Sequence, residues 1–364
     1  NTHRTLLQKN LSFKRKIIPD IARSLSKGLI SIGLALTGVG VWSLVIGQVA
    51  SSLIGAISSW LVFPWKPKFE LRTSMLRSLF GFGATVLIVD TIAVATDNLD
   101  YLVIGRALGS ADLGMYTMAY RLPELLILNS LWILASVLFP TYAIIQKDRE
   151  TLRQGFLTSV RYIELVILPL SLGLLIAADP IVRVVFGPQW VAAIPILRIL
   201  ALFALVNSIA YNVGDVYKAI GRPDVLIKIE VVVLAVLIPS LILLVPFGII
   251  AIALGHLAVA CLHMIIRIYV TRRIIDVKAM DILMQLQPAL IGGAVLAALA
   301  WPVLLLTLSL NPILRLIFVA AAGAFGYLFT LWITERQSLL AAGRTLGLIP
   351  DETPILMPTR ERES

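Results

Sequence analysis

Apolar runs of about twenty residues recur along almost the entire chain, and charge is confined to the short stretches between them. A run of that length is what an α-helix needs to cross a ~30 Å hydrocarbon core. Inside the bilayer every backbone N–H and C=O must find a partner within the protein, so such a chain folds into helices or a closed barrel. Runs this long, without the alternation of barrel strands, specify helices. Composition agrees: 59% of the 364 residues are hydrophobic and 14% charged, against roughly 25% charged in soluble domains. The fold class is therefore an all-α polytopic membrane protein.

Ten spans are expected, at about 21–38, 41–63, 78–106, 113–139, 157–178, 192–219, 226–245, 247–270, 284–307 and 312–333. Orientation follows from the positive-inside rule. If residues 1–20 are cytoplasmic and the spans alternate, the cytoplasmic ends and loops hold 26 of the 31 Lys and Arg. Both ends then lie in the cytoplasm. Arg106, Arg183 and Arg315 fall at the outer side, and Arg121 and Arg198 fall within spans. The net charge of +10 thus reports topology and membrane lipids, and no nucleic-acid partner is expected. The chain begins at Asn1 without a signal peptide's short apolar core and cleavage site, and reads as an internal segment.

A weak repeat organises the spans. Gly38-Val-Gly-Val-Trp-Ser-Leu44 and Gly248-Ile-Ile-Ala-Ile-Ala-Leu254 each open a span after a short outer turn. An even-numbered unit displaced by that spacing gives two six-helix lobes in parallel repeat, the first incomplete. The expected divisions are a cytoplasmic amphipathic segment 1–20, the last two helices of the N-terminal lobe at 21–63, and a basic cytoplasmic linker at 64–77. A C-terminal six-helix lobe follows at 78–270, then two additional helices at 284–333 and a cytoplasmic tail at 334–364.

Charges within spans are costly and point to function by default. Asp90 and Asp97 are seven apart in the span 78–106, hence on one face. That span would be about 43 Å long and must tilt or protrude. Asp100 extends the face outward, and Arg121 is the nearest counter-ion in sequence. Tyr116 and Tyr120 share a face of the next span, before Pro123, which removes a backbone hydrogen bond and permits a kink. In span 192–219, Asn207, Tyr211 and Asp215 repeat every four residues as a polar stripe, with Arg198 upstream. Two readings stand. The charges line a water-filled pathway, or they brace helices as interhelical glue. Depth favours the pathway for Asp90, Asp97 and Arg121, whereas Asp100 and Arg106 suit a clamp at the outer turn equally well. Arg161, Glu164, Lys228 and Glu230 read as interface-level structural charges. His256 and His263, seven apart without a nearby carboxylate in sequence, read as packing residues.

There is one cysteine, Cys261, so no disulfide framework is available. No phosphate-binding Gly-rich loop, metalloprotease pattern or nucleophile elbow occurs. No catalytic residue, metal site or cofactor is expected, and the protein reads as a non-enzyme.

Four stretches carry a family resemblance. They are Leu11-Ser-Phe-Lys14 with Gly38-Val-Gly-Val-Trp-Ser-Leu-Val45; Asp100-Tyr-Leu-Val-Ile-Gly-Arg-Ala-Leu-Gly109 followed by Leu113-Gly-Met-Tyr116 and Ala119-Tyr-Arg-Leu-Pro123; Val137-Leu-Phe-Pro140 with Leu168-Pro169-Leu-Ser-Leu-Gly173; and Phe186-Gly-Pro-Gln-Trp190 with Ile194-Pro-Ile-Leu197. In order and spacing they resemble the Wzx/WzxC-type polysaccharide flippases of the multidrug/oligosaccharidyl-lipid/polysaccharide exporter superfamily, in its C-terminal portion. Pro195 stands near the family's usual small residue. The resemblance implies translocation of an undecaprenyl-pyrophosphate-linked oligosaccharide across the bacterial inner membrane, for lipopolysaccharide or exopolysaccharide biosynthesis. It implies two lobes around a cationic cavity, alternating access, coupling to an ion or proton, and a polysaccharide polymerase and chain-length regulator as partners. On charge and depth, Arg121 and Arg198 would meet the pyrophosphate, and Asp90, Asp97 and Asp215 would balance them or take up protons. Tyr120, Asn207 and Tyr211 complete the expected pathway. The alternatives are a cation-coupled multidrug exporter of the same superfamily and a membrane polysaccharide polymerase. The polymerase would need a large outer loop, and the longest here, 179–190, is about a dozen residues.

Overall fold

A computed structural model describes residues 13–40, 42–62 and 73–336. Most of the expected amphipathic segment 1–20, most of the linker 64–77 and nearly all of the tail 334–364 lie outside the described residues. Within them there are helices and turns and no strand. The chain forms two compact units, 1–80 and 81–364.

In the first unit, α1 (Phe13–Leu36) and α2 (Trp42–Val62) make a helical hairpin. Ser43, Gly47, Ser51 and Gly55 recur every four residues on α2 and are its buried positions. Small residues at that spacing let two backbones approach closely. A Cβ at Gly47 would come within 2.0 Å of Ser31 Oγ, and one at Gly55 within 2.7 Å of Arg23 Nε. Gly38 in the turn has φ 83°.

The second unit begins within α3 (Thr73–Ala107). It continues through α4 (Ser110–Pro123), α5 (Asn129–Ile145), α6 (Arg149–Ile176), α7 (Ala178–Val185), α8 (Ile194–Ile209), α9 (Val213–Ala219), α10 (Pro223–Leu244), α11 (Gly248–Ile275), α12 (Ala279–Leu306) and α13 (Pro312–Thr334). Its central packing sets α6 against α8 and α12, α8 against α11, and α10 against α11. Tyr116, Tyr142, Phe156, Leu197, Leu200 and Tyr217 lie fully buried in the main core. A second cluster joins α6 to α12 and α13 through Ile176, Leu296, Ala300 and Tyr327. The outside is apolar, with Ile133, Ile242, Leu243, Phe325 and Ile333 all exposed. In water such a surface would aggregate; in a bilayer it faces lipid.

Seven described segments are long and apolar enough to span a membrane: Trp42–Val62, Ser110–Ile145, Arg149–Ile176, Pro188–Ala219, Pro223–Ile275, Ala279–Leu306 and Pro312–Thr334. The expected spans 226–245 and 247–270 fall within one 53-residue segment, where α10 and α11 are joined by a 3₁₀ turn at Val245–Phe247. Gly248 at that junction has the same φ of 83° as Gly38. α1 is not among the seven, because Lys14, Arg15, Lys16, Arg23 and Lys27 make its first half polar.

At Pro123, where a backbone hydrogen bond is lost, α4 passes into a π-helical turn, Glu124–Leu128. Three local expectations need correction. The span 192–219 is not continuous: α8 stops at Ile209 and α9 starts at Val213. The outer segment 179–190 is mostly helical, made of α7 and the 3₁₀ turn Pro188–Ala193. Glu335, assigned to a solvated tail, is buried and ion-paired with Arg161.

Candidate functional site

Between α8 and α9 the chain leaves the helix in a turn in which the Tyr211 N–H donates to the Ser208 carbonyl at 3.1 Å, and side chains from three other helices meet it. Asn212 is fully buried, and its Nδ2 donates to Ser159 Oγ at 2.6 Å and to Tyr142 Oη at 3.1 Å; Tyr142 and Ser159 also bond each other. Ser208 donates to Glu164 Oε1 at 2.6 Å. Arg267 Nη1 donates to the freed carbonyl of Ala210 at 3.3 Å. Glu164 has no exposed surface and is no interface-level charge.

This break opens onto a cavity of about 250 Å³ lined by α3, α5, α8, α9, α10 and α11. Of the expected pathway residues, Asp90, Asn207, Tyr211 and Asp215 line it. The four-residue polar stripe therefore reaches one cavity although its helix is broken. Lys218 Nζ lies 3.2 Å from Asp90 Oδ1 at a partly open edge. Asp215 Oδ2 is buried without a hydrogen bond among the described residues.

The strongest ion pairing comes from residues read as structural in the sequence. Glu230, on α10, is 5% exposed. Its Oε1 accepts from Arg267 Nη2 at 2.9 Å. His263 Nε2 lies 3.3 Å from the same oxygen, within ion-pair range but off hydrogen-bond geometry. About two helical turns away along α11, His256 Nδ1 sits 3.2 Å from Asp100 Oδ2. Tyr116 Oη donates to that oxygen at 2.6 Å, and the Tyr101 N–H donates to Asp100 Oδ1 at 2.9 Å. Asp100 is 1% exposed, so it does not clamp Arg106 at an outer turn. His256 also packs on Phe203, ring centroids 4.3 Å apart. Both histidines thus have carboxylate partners, contributed by other helices. His256, Ala260, His263 and Arg267 recur on one face of α11 and all line the cavity; that spacing was the available signal.

Other expected residues lie elsewhere. Tyr120 is buried one layer behind the wall, its ring 6.2 Å from that of Phe203 and stacked at 6.4 Å on Tyr116. Arg121 is half exposed and pairs with Glu124, three residues on, at 3.1 Å, and does not line the cavity. Arg198 lines a separate pocket with Asp179, Arg183 and Arg315. The side chain of Asp97 lies outside the described residues.

The charged lining from this unit is Asp90, Asp215 and Glu230 against Lys218 and Arg267, with two imidazoles. With the imidazoles neutral, three carboxylates against two cations give this wall a formal charge of −1, so the part contributed by this unit is not cationic. The cavity's volume is below the ~300–1,000 Å³ of typical ligand pockets, so in this conformation it suits water or a small ion. Among the described residues no three His, Cys, Asp or Glu are grouped to hold a metal.

Comparison with known proteins places this architecture. The chain is similar to the teichuronic acid biosynthesis protein TuaB of Bacillus subtilis, 32% identical over 222 residues, covering 60% of this chain and 46% of that protein. It is similar to the succinoglycan biosynthesis transport protein ExoT of Rhizobium meliloti, 28% identical over 225 residues, 61% of this chain and 45% of the relative. The lipopolysaccharide biosynthesis protein WzxC of Escherichia coli is 27% identical over 245 residues, 65% of this chain and 49% of its own length. The chain thus spans about half the length of the curated relatives it matches. In fold it resembles the lipid II flippase MurJ in an inward closed conformation, with a TM-score of 0.66 at 18% identity over 89% of this chain and 68% of that one. A family model described as polysaccharide biosynthesis protein matches residues 1–195, more than half of the chain, which therefore belongs to the polysaccharide biosynthesis protein family.

Proposed function

We propose that the protein moves a lipid-linked oligosaccharide from the cytoplasmic to the outer leaflet of the bacterial inner membrane by alternating access, as a transporter and not an enzyme. The observation that carries this is the ion-paired cavity at membrane depth in a bundle whose exterior is apolar. Ionisable groups are kept within a membrane where they line a path or bind a charged solute. Family membership supplies the class of cargo, and the transport and flippase functions named for ExoT and MurJ supply the class of process. The paired carboxylates and histidines, Asp100 with His256 and Glu230 with His263, are the groups through which a proton or cation would bias the cycle. The charge bias of the loops supports both ends being cytoplasmic.

The test is leaflet accessibility. Cells depleted of the protein should accumulate the lipid-linked saccharide in the inner leaflet, shielded in spheroplasts from a membrane-impermeant periodate reagent, while its synthesis continues. Unchanged accessibility on depletion, or loss of its synthesis instead, overturns the reading.

A further inference from the structure

In the orientation expected from the loop charges, five arginines fall outside the cytoplasmic ends and loops, and three of those five converge. Arg183 near the end of α7, Arg198 in the second turn of α8 and Arg315 in the first turn of α13 line one open pocket of about 610 Å³ beside the α12–α13 turn. It lies at the end of the bundle opposite the Arg153–Asp281 and Arg161–Glu335 ion pairs, which join the start of α6 to the start of α12 and its middle to the residue after α13.

A structural clamp explains only part of this. Asp179 Oδ1 accepts from Arg183 Nε at 2.9 Å, and its Oδ2 accepts from Arg315 Nη1 at 2.6 Å. Those two contacts tie α7 to α13 and use both carboxylate oxygens. Arg198 is surplus to the clamp: it makes no ion pair or side-chain hydrogen bond with any described residue. Arg315, 12% exposed, keeps a buried Nε without a partner. Three guanidinium groups against one carboxylate leave an excess of two positive charges. A half-buried excess of that kind is costly unless an anion enters. The planar fork of arginine matches phosphate oxygens two at a time, and the N-terminus of α13, whose Pro312 lines the pocket, adds the positive end of a helix dipole. Ile194, Leu308 and Leu310 form an apolar wall alongside.

We infer that this pocket binds a phosphate-class anion, either a lipid headgroup phosphate whose apolar stem lies along Leu308 and Leu310 or a free pyrophosphate. The site is distinct from the central cavity, and the inference does not rest on the transport reading.

Two arms of one experiment distinguish the sources. The full chain is reconstituted in phosphatidylcholine nanodiscs, and its thermal unfolding is followed by tryptophan fluorescence as sodium pyrophosphate is titrated. In parallel, nanodiscs containing phosphatidylglycerol are analysed by native mass spectrometry for lipid retained on the protein. A saturable rise in Tm with pyrophosphate identifies a site open to free anion; retention of phosphatidylglycerol without that rise identifies a lipid headgroup. Arg198→Gln should weaken whichever binding occurs by about tenfold or more, the loss of one hydrogen-bonded charge contact, and should not lower the unliganded Tm, because Arg198 braces nothing and its removal relieves part of the excess charge. Arg183→Gln should weaken it similarly. Absence of binding in both arms, or binding in Arg198→Gln equal to the parent, overturns the site.

Discussion

Arg267→Ala should be the most damaging single truncation in the cavity wall, because Arg267 holds two things at once. Its Nη2 neutralises Glu230, whose side chain is 6% exposed, and its Nη1 caps the Ala210 carbonyl released by the helix break. Removing the guanidinium leaves Glu230 buried with only His263 nearby, off hydrogen-bond geometry. Breaking a buried pair by deleting one partner costs about 3–5 kcal/mol. For an unfolding entropy of about 2 cal/mol/K per residue over roughly 250 residues of the second unit, that lowers Tm by about 6–10 °C.

The assay is thermal unfolding of the purified protein in detergent, with a double-mutant cycle to separate charge from packing. Glu230→Gln with Arg267→Gln leaves polar groups of similar size and no unpaired charge. It should therefore lose much less than Arg267→Ala, and less than the sum of the two single changes, since coupled neighbours are non-additive. A Tm for Arg267→Ala within about 1 °C of the parent, or additive losses across the cycle, would refute the reasoning, because the pair would then be solvated rather than buried.

Two other predictions concern hydration and packing. In a Cys261→Ser background, Ala93→Cys and Asn207→Cys should react with a polar thiol reagent because both positions line the cavity, whereas Ile242→Cys on the apolar exterior should stay silent in membranes; equal labelling of all three would show that the cavity is not an aqueous compartment. Gly292→Ala would put a methyl 2.7 Å from Tyr327 Cε2. That ring cannot swing freely because Tyr327 Oη donates to the Leu165 carbonyl at 2.7 Å, so overpacking should cost about 1–3 kcal/mol. Tyr327→Phe should reduce that cost by releasing the ring, and an unchanged penalty in the double variant would count against the clash.

Much of the architecture was legible because hydrocarbon thickness imposes it on the sequence residue by residue. The polar stripe was legible for the same reason: a four-residue period survives translation into a face, and Asn207, Tyr211 and Asp215 do line one cavity. The partners of charges were not legible. Arg121 lies close in sequence to three aspartates, yet its partner is Glu124, because an i,i+3 neighbour on the same helix is reached without any tertiary arrangement. Glu230 and Arg267 find each other across an antiparallel helix pair, 37 residues apart. Asp100 and His256 meet from α3 and α11, helices remote from each other in the chain. Dismissing the histidines for lack of a nearby carboxylate measured distance along the chain, whereas helices stacked side by side bring remote residues to within one hydrogen bond. Arg183, Arg198 and Arg315 were also visible as exceptions to the charge bias, but their convergence depends on α7, α8 and α13 meeting at one pocket.

The break at Ala210–Asn212 joins these observations. No proline or glycine lies within 210–212, so the sequence carries no breaker to announce it. Where the backbone leaves the helix, Arg267 takes up the Ala210 carbonyl, the Tyr211 N–H turns back to the Ser208 carbonyl, and the buried Asn212 side chain is anchored to Tyr142 and Ser159. Irregular backbone at membrane depth is tolerated only where it is enclosed by protein or lines a cavity, and this one does both. It also turns Tyr211 and Asp215 toward the wall formed by α10 and α11. Arg267 thus connects the charge of Glu230 to the conformation of the α8–α9 chain. Any event that changes the charge at Glu230, whether a bound cation or a proton, competes for the same guanidinium that holds the break. In the proposed transport cycle, that shared guanidinium would be the route from the occupancy of the cavity to the backbone of the bundle.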